Sequence, residues 1–388
     1  MNNYPTIFVH GFIGWGAEDG LNDSLCYFGV KTGLLEHLRK QGFEVYNPSL
    51  GPFSSAWDRA CELYAKIYGG TVDYGKVHSE KYGHERFGRT YPGLIKDWGE
   101  KGDHEKINLI GHSFGGPTIR VFDYLLEYGN EEEREGTPED ELSPLFKGGQ
   151  GHKVHTVNTL SGVNNGTTYN AFHGVLVNKL MVLYVLYFVV LLGNSKLMDK
   201  YDFHLDHWGL MKDPKKVKIK RLRLPTTHWP TIFRFMNNEL DNVGFELGPY
   251  AMEKINRQIH AHEGTYYFAY RACRTHKTLL GFQMPNSDMN LFCKEAAVVS
   301  GHFMSPKLRA YGIGREWLPN DGYVNTIGTA APLTEKSIEW TPETKVEKGV
   351  WYNMPVAEKD HVSWNGLGES KEDLFAFYDE LLGSFRKM

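Results

Sequence analysis

The feature that most constrains this 388-residue chain is a Gly-His-Ser-Phe-Gly pentapeptide at residues 111–115. It follows an apolar, strand-like stretch at 106–110 and precedes a stretch of helical composition at 117–128, whose leading proline is tolerated in a first turn. A Gly-x-Ser-x-Gly sequence between a strand and a helix is typical of a strained turn that exposes the serine hydroxyl. An incidental serine in a glycine-rich turn is the alternative. The flanking strand and helix favour Ser113 as a nucleophile.

Elsewhere the chain alternates short apolar stretches with helical ones. Strands are predicted at 6–9, 43–46, 154–160 and 265–271, and a helix at 34–40. This alternation indicates a mostly parallel sheet covered by helices on both faces. Together with the serine turn, it predicts the α/β-hydrolase fold in a single domain, residues 1–388.

Three segments interrupt this alternation. Residues 57–93 are rich in His, Tyr and Gly and are interpreted as an irregular insertion. Residues 130–151 carry an acidic run that is typical of a solvated loop, and a long insertion of mixed character occupies 168–248.

Composition excludes some classes of function. With 41% hydrophobic and 23% charged residues, the chain is ordinary for a globular protein with a large core. Its net charge of -4 argues against nucleic acid as the main partner, because a polyanion requires a basic surface. The cysteines form no CxxC pair and are expected to be free, buried thiols: Cys26, Cys61, Cys273 and Cys293.

A serine nucleophile in this fold needs an acid and a base that follow it in the chain. His361 is the last of 17 histidines and precedes a predicted closing helix at 371–385. Asp321 lies in an Asn-Asp-Gly sequence that could also be a simple turn. The adjacent Asp360 would have to fold back onto its neighbour's ring. We therefore predict a triad of Ser113, Asp321 and His361.

The developing oxyanion needs two backbone N–H donors. One is expected from Phe114, directly after the nucleophile. The other is expected from Phe12, which follows a His-Gly pair at the end of the first predicted strand.

Several ordered motifs resemble the thermoalkalophilic bacillary lipase family, which is related to the staphylococcal lipases. The resemblance covers nearly the whole chain and rests on residues 10–16, 51–61, 69–75, 84–93, 143–146, 201–210 and 320–326. It implies a serine triad, oxyanion donors at Phe12 and Phe114, a large lid in 168–248, and secretion. Residues 1–5 are too short to be a signal peptide.

The resemblance also implies a structural zinc ion in the 57–93 insertion. Its ligands would be Asp58, His78, His84 and Asp241, with Glu246 as an alternative to Asp241. Two imidazoles and two carboxylates make a closed tetrahedral shell.

Two positions depart from the family pattern. Ser363 stands where the family's calcium loop has a carboxylate, and the other side of that loop falls at Asp288, so calcium binding is not expected. Phe114 replaces a glutamine, which predicts a more apolar pocket rim.

The long insertion contains a 13-residue apolar run at 180–192. It is too short to span a bilayer, which takes about 20 residues. We interpret it as a lid helix over an apolar groove, with an ordinary core helix as the alternative. A basic run between 212 and 223 could favour anionic interfaces.

The sequence therefore predicts a serine lipase or carboxylesterase. Its substrates would be acylglycerols, aromatic esters and aliphatic polyesters at a lipid or polymer interface. An acyltransferase with the same triad is one alternative, and a catalytically silent membrane-surface binding module is another.

Overall fold

The computed structural model describes residues 2–171, 200–210, 229–237, 241–302 and 306–388. The predicted lid run at 180–192 and the basic run between 212 and 223 lie outside the described residues.

Eleven strands are found in the described part of the chain. They are β1 (Thr6–Val9), β2 (Val45–Tyr46), β3 (Gly70–Asp73), β4 (Phe87–Tyr91), β5 (Ile107–His112), β6 (Val154–Leu160), β7 (Tyr266–Tyr270), β8 (Thr275–Lys277), β9 (Gln283–Pro285), β10 (Ser337–Glu339) and β11 (Trp351–Asn353). Seven of them form one sheet in the order β10-β11-β7-β6-β5-β1-β2, and every neighbouring pair is parallel. The predicted parallel sheet is confirmed. The pairs β3–β4 and β8–β9 form separate antiparallel ribbons.

The described helices cover both faces of this sheet. They are α1 (Leu34–Lys40), α2 (Ala56–Tyr68), α3 (Lys76–Tyr82), α4 (Gly115–Tyr128), α5 (Glu131–Gly136), α6 (Pro144–Lys147), α7 (Trp229–Asn237), α8 (Val243–Glu246), α9 (Pro249–Asn256), α10 (Leu291–His302), α11 (Pro306–Ala310) and α12 (Lys371–Phe385). Successive strand residues point to opposite faces, so Ile7 packs with α2 and α4, whereas Phe8 packs with α1 and α12.

The interpretation of residues 57–93 as irregular is wrong. The segment forms most of α2, followed by β3, α3 and β4. One side of α2 carries Ala60, Leu63 and Ile67 into the core at helical spacing. The pattern is obscured because Arg59 and Glu62 are also fully buried on this helix.

The acidic run at 131–135 is likewise not a solvated loop. It begins α5, and Glu133 is buried with only 1% of its surface exposed. Its carboxylate accepts the backbone N–H groups of Val77 at 3.2 Å and His78 at 2.7 Å, in the first turn of α3. Glu133 therefore satisfies N–H groups that a helix start leaves without partners.

Replacing Glu133 with Ala should destabilise the protein by about 1–3 kcal/mol, because buried N–H groups of α3 lose their acceptor. Urea unfolding followed by circular dichroism measures the loss. Glu132→Ala is the matched control, since the Glu132 side chain is 67% exposed and only approaches Lys81 at 3.6 Å. Equal midpoints for the two variants would contradict a capping role for Glu133.

Candidate active site and metal centre

Ser113 lies at the junction of β5 and α4 in a strained backbone conformation. Its φ of 57° is in the left-handed region, which residues with a side chain rarely adopt. Side chains do not fit around it: a Cβ atom added at Gly111 would lie 2.3 Å from the Gly115 carbonyl oxygen. A Cβ atom added at Gly115 would lie 2.2 Å from the Val9 carbonyl oxygen. The glycines of the pentapeptide are therefore required by close backbone contacts.

His361 and Asp321 form a buried pair. The Nδ1 atom of His361 lies 2.9 Å from Oδ2 of Asp321, and the backbone N–H of His361 donates to the Asp321 carbonyl at 2.8 Å. Because a carboxylate can only accept, the proton of a neutral His361 is on Nδ1 and its Nε2 is free to accept. The other carboxylate, Asp360, instead accepts the N–H of Asn290 at 2.7 Å and that of Ser363 at 3.1 Å.

His112 connects the serine turn to the histidine. Its ring centroid lies 4.8 Å from that of His361, and its Nε2 is 2.9 Å from the His361 carbonyl oxygen. Since a carbonyl only accepts, Nε2 carries the proton and Nδ1 accepts from the Tyr27 hydroxyl at 2.7 Å. The Tyr27 oxygen also accepts the Gly11 N–H at 3.0 Å. Sequence reasoning missed both side chains, and only the place of His112 beside Ser113 could have indicated a role.

The loop after β1 lies directly against the serine. A Cβ atom added at Gly11 would be 2.6 Å from the Ser113 Cβ atom. The Gly11 carbonyl accepts from His10 Nδ1 at 2.9 Å and from the Gly14 N–H at 3.1 Å. Because the N–H of a trans peptide points opposite to its C=O, these two bonds also fix the direction of the Phe12 N–H.

His10 is held in the tautomer that this contact needs. Its Nε2 accepts the Leu50 N–H at 3.0 Å, which leaves the proton on Nδ1 for Gly11. Burial and the nearby Arg59 hold the pKa of His10 well below its usual value, so the ring is neutral.

The two predicted oxyanion donors differ in their side chains. Within the described ranges, no protein group accepts a hydrogen bond from the backbone N–H of Phe12 or Phe114. The Phe12 ring packs edge-on against Phe53, with centroids 5.5 Å apart. The Phe114 ring is fully buried in the main core cluster, so the expectation that it lines the pocket rim is wrong. A large apolar ring at the start of α4 gains more by packing under the sheet than by facing solvent.

The four predicted metal ligands converge in space. Asp58 in α2, His78 in α3, His84 and Asp241 each offer one ligand atom, and these atoms lie within 4.8 Å of one another. The Nε2 atom of His78 is 3.0 Å from Asp241 Oδ1 and 3.4 Å from Asp58 Oδ1, and His84 Nε2 is 3.5 Å from Asp241 Oδ2.

Three atoms of this group have no hydrogen-bond partner in the described structure. They are Asp58 Oδ1, His84 Nε2 and Asp241 Oδ2, all of them buried. Buried polar atoms without partners are rare, and here they belong to two acids and a base facing one another. Burial also lowers the pKa of His84 to about 4, which keeps its ring in the neutral form that binds metals. The donor set fits a divalent cation that accepts nitrogen and oxygen ligands.

Surrounding side chains orient the four candidate ligands. His207 Nε2 is 2.9 Å from the second oxygen of Asp58, and the Ser55 hydroxyl donates to Asp241 at 2.9 Å. His207 was missed by sequence reasoning, although it lies in one of the matching motifs. Glu246 turns away from the group and accepts the N–H of Ala56 at 2.7 Å. Such outer contacts fix ligand geometry in metal sites.

Arg59 links the metal group to the loop beside Ser113. It follows Asp58 in α2 and donates to the His10 carbonyl, to the Gly51 carbonyl at 2.9 Å, and to the Thr118 hydroxyl at 2.8 Å. Burial lowers the pKa of Arg59 to about 10, so the guanidinium remains charged at neutral pH.

Asp288, on the suggested calcium loop, pairs with Arg274 at 3.1 and 2.5 Å. Within the long insertion, the described stretch 200–210 is tied to β4 by Arg89, which contacts Asp202 and Asp206 at 2.6 Å each. All four cysteines are free, as predicted, but only Cys61 and Cys293 are buried; the prediction of burial is wrong for Cys26 and Cys273, which are partly exposed. No helix of the described ranges is long and apolar enough to cross a membrane.

The whole chain is similar to known lipases. Residues 2–387 match the family described as "Lipase-like, C-terminal domain". A lipase of Staphylococcus epidermidis is 36% identical over 391 aligned positions, covering 98% of this chain and 52% of the relative. A lipase of Staphylococcus hyicus is 34% identical over 369 positions, covering 94% of this chain and 54% of the relative. The chain thus spans about half the length of the curated relatives it matches.

The fold of this chain also matches solved structures of lipases. The crystal structure of Staphylococcus hyicus lipase superposes with a TM-score of 0.84 at 32% identity, covering 100% of this chain and 97% of that one. Lipase 1 from Pelosinus fermentans gives a TM-score of 0.78 at 33% identity, with all of both chains covered. The resemblance to staphylococcal lipases is thereby confirmed, and this chain belongs to the lipase-like C-terminal domain family.

Proposed function

We propose that the chain is a serine lipase or carboxylesterase that hydrolyses carboxylic esters through an acyl-Ser113 intermediate. The observation that carries this proposal is the single buried arrangement of a strained serine, the Asp321–His361 pair and the loop ending in Phe12. His112 and Tyr27 join these parts by hydrogen bonds.

In the proposed reaction, Ser113 Oγ attacks the ester carbonyl while His361 Nε2 takes its proton. Asp321 holds the ring by its Nδ1–H and stabilises the imidazolium that forms. The negative oxygen of the tetrahedral intermediate accepts from the N–H groups of Phe12 and Phe114, which have no protein acceptor in the described structure. When the intermediate collapses, the alcohol leaves with the proton from His361. Water then attacks the acyl-serine in the same manner and releases the acid.

Exposed apolar side chains near the site support an ester substrate at a lipid or polymer surface. Ile13 directly follows Phe12 and is 49% exposed. On another side, Tyr323 lies 5.5 Å from the His361 ring, and its hydroxyl donates to the carbonyl of the exposed Phe292. Acylglycerols, aromatic esters and aliphatic polyesters all present an ester next to apolar groups. We propose that the chain acts on them outside the cell.

We further infer that Asp58, His78, His84 and Asp241 hold a structural zinc ion. Two nitrogen and two oxygen ligands complete a tetrahedral shell, and zinc in such a closed site supplies folding free energy instead of reacting with substrate. The 57–93 segment would then be a metal-binding insertion, and 168–248 a lid insertion that Arg89 ties to it at Asp202 and Asp206.

The triad is tested by Ser113→Ala, which should reduce ester turnover by about 10³–10⁶-fold with an unchanged circular dichroism spectrum. Asp321→Asn should cost on the order of 10⁴-fold, because the ring of His361 loses its orientation. Turnover of a soluble nitrophenyl ester measures both. Asp360→Asn is the matched control and should cost far less. An active Asp321→Asn enzyme beside an inactive Asp360→Asn enzyme would transfer the acid role to Asp360.

Elemental analysis of the purified protein should find about one zinc per chain. His78→Ala or His84→Ala should remove it and lower the melting temperature, because Asp58 and Asp241 then face each other without a cation. His152→Ala, an exposed histidine elsewhere, should change neither quantity. A metal-free protein that melts at the wild-type temperature would refute the zinc assignment.

His10→Phe should lower kcat by about 10²–10³-fold with a small change in KM, because the Phe12 N–H loses its fixed direction toward the oxyanion. Steady-state kinetics on a soluble ester separate the two constants. A rise in KM at constant kcat would instead assign His10 to substrate binding.

A further inference from the structure

Two adjacent leucines protrude from the hairpin formed by β8 and β9. The side chains of Leu279 and Leu280 are 107% and 77% exposed, among the most exposed large apolar residues of the described structure. Single exposed apolar residues are common on protein surfaces and need no explanation. Two neighbouring leucines at full exposure are a different case, because both would gain by leaving water.

Backbone hydrogen bonds close the hairpin tip and fix where the two leucines project. The Thr278 N–H donates to the Phe282 carbonyl at 2.8 Å, and the Gly281 N–H donates to the Thr278 carbonyl at 2.9 Å. Gly281 has a φ of +82°, which closes the turn. The Phe282 ring stacks on His302 of α10, with centroids 4.9 Å apart. The fold therefore holds the leucines out in solvent.

Two cations stand beside the tip. A Cβ atom added at Gly281 would lie 3.1 Å from Arg315 Nη1 and 4.0 Å from Lys277 Cε. Both side chains are exposed. The neighbouring acid, Glu316, accepts the backbone N–H of Gly314 at 2.9 Å. Apolar side chains next to cations match a surface with anionic headgroups over an acyl layer.

Helix α10 connects the hairpin tip to the proposed active site. The hairpin packs near the end of α10, whereas Leu291 and Phe292 at its start are 81% and 71% exposed. The Phe292 carbonyl accepts from Tyr323, which packs against His361. The 12 residues of α10 span about 17 Å. Separate apolar points of this kind suit a fluid lipid surface, whereas a protein partner needs a continuous complementary interface.

We propose that the β8–β9 hairpin docks the protein on an anionic phospholipid surface. Leu279 and Leu280 enter the acyl layer, and Lys277 and Arg315 contact the headgroups. The benefit of such docking rests on the proposed function, because it brings the His361 side of the molecule to lipid esters. Docking itself does not require ester hydrolysis.

The test measures co-sedimentation with vesicles of phosphatidylglycerol mixed with phosphatidylcholine, using the full chain in a Ser113→Ala background so that the lipid is not consumed. The double variant Leu279→Ser/Leu280→Ser should bind at least about tenfold more weakly, since two apolar side chains no longer transfer into lipid. Leu279→Phe/Leu280→Phe should retain binding. Phe87→Ser, which removes a 56% exposed ring on the separate β3–β4 ribbon, should bind as the parent does.

The contribution of the two cations to vesicle binding is tested with separate variants. Lys277→Gln and Arg315→Gln should each weaken binding to the anionic vesicles about fivefold and leave binding to pure phosphatidylcholine unchanged. Unchanged binding of the Leu279→Ser/Leu280→Ser variant, or an equal loss in Phe87→Ser, overturns the proposal.

Measurements of ester hydrolysis distinguish a failure of the docking surface from a failure of the proposed function. In a chain that retains Ser113, the Leu279→Ser/Leu280→Ser variant should keep its kcat/KM on a soluble ester and lose activity on dispersed lipid. A wild-type chain that hydrolyses no ester, yet binds vesicles through Leu279 and Leu280, would refute the proposed function and support the docking surface. Equal losses on soluble and dispersed esters would refute the docking surface.

Discussion

The close backbone packing of β1 against the start of α4 is the constraint on which the site depends. A Cβ atom at Gly115 would lie 2.2 Å from the Val9 carbonyl oxygen, so the first strand and the helix can approach this closely only through glycine. This contact places Ser113 in its strained turn at the end of β5. It also brings the loop after β1 against the serine, where Gly11 has no room for a side chain. The proposed nucleophile and one proposed oxyanion donor are therefore positioned by the same packing.

Much of this arrangement could be predicted because it lies at strand ends. Short apolar runs locate β1, β5 and β6, and the chain order of the fold then selects Asp321 and His361 for expected roles. The Tyr27 contact with His112 could not be predicted, because it joins residues 85 positions apart and no local pattern indicates it. Helix α2 was also missed, since buried Arg59 and Glu62 resemble surface residues until their partners are known.

The metal group could not be predicted from spacing. Its four side chains come from α2, α3, the turn after α3 and the segment before α8, and no repeat relates these positions. The family resemblance indicated which four residues form this group, and the structure gives the physical reason why they belong together. Three buried atoms in the described chain lack partners at the point where the side chains meet. The role of Glu133, whose carboxylate binds the start of α3, could not be predicted either. This residue lies in an acidic run that is typical of solvent-exposed sequence.

Arg59 couples the first turn of α2 to the loop that carries Phe12. The guanidinium is attached to the same helical turn as Asp58 and donates to the His10 carbonyl, next to the loop that carries Phe12. Asp58 and Arg59 are fully buried, and α2 packs with α4 in the main core cluster. Local opening begins where few buried apolar contacts hold the chain, so this helix is expected to open only together with the core. Heat should therefore displace the Phe12 loop in the same cooperative step that unfolds the sheet, and activity should be lost with the fold.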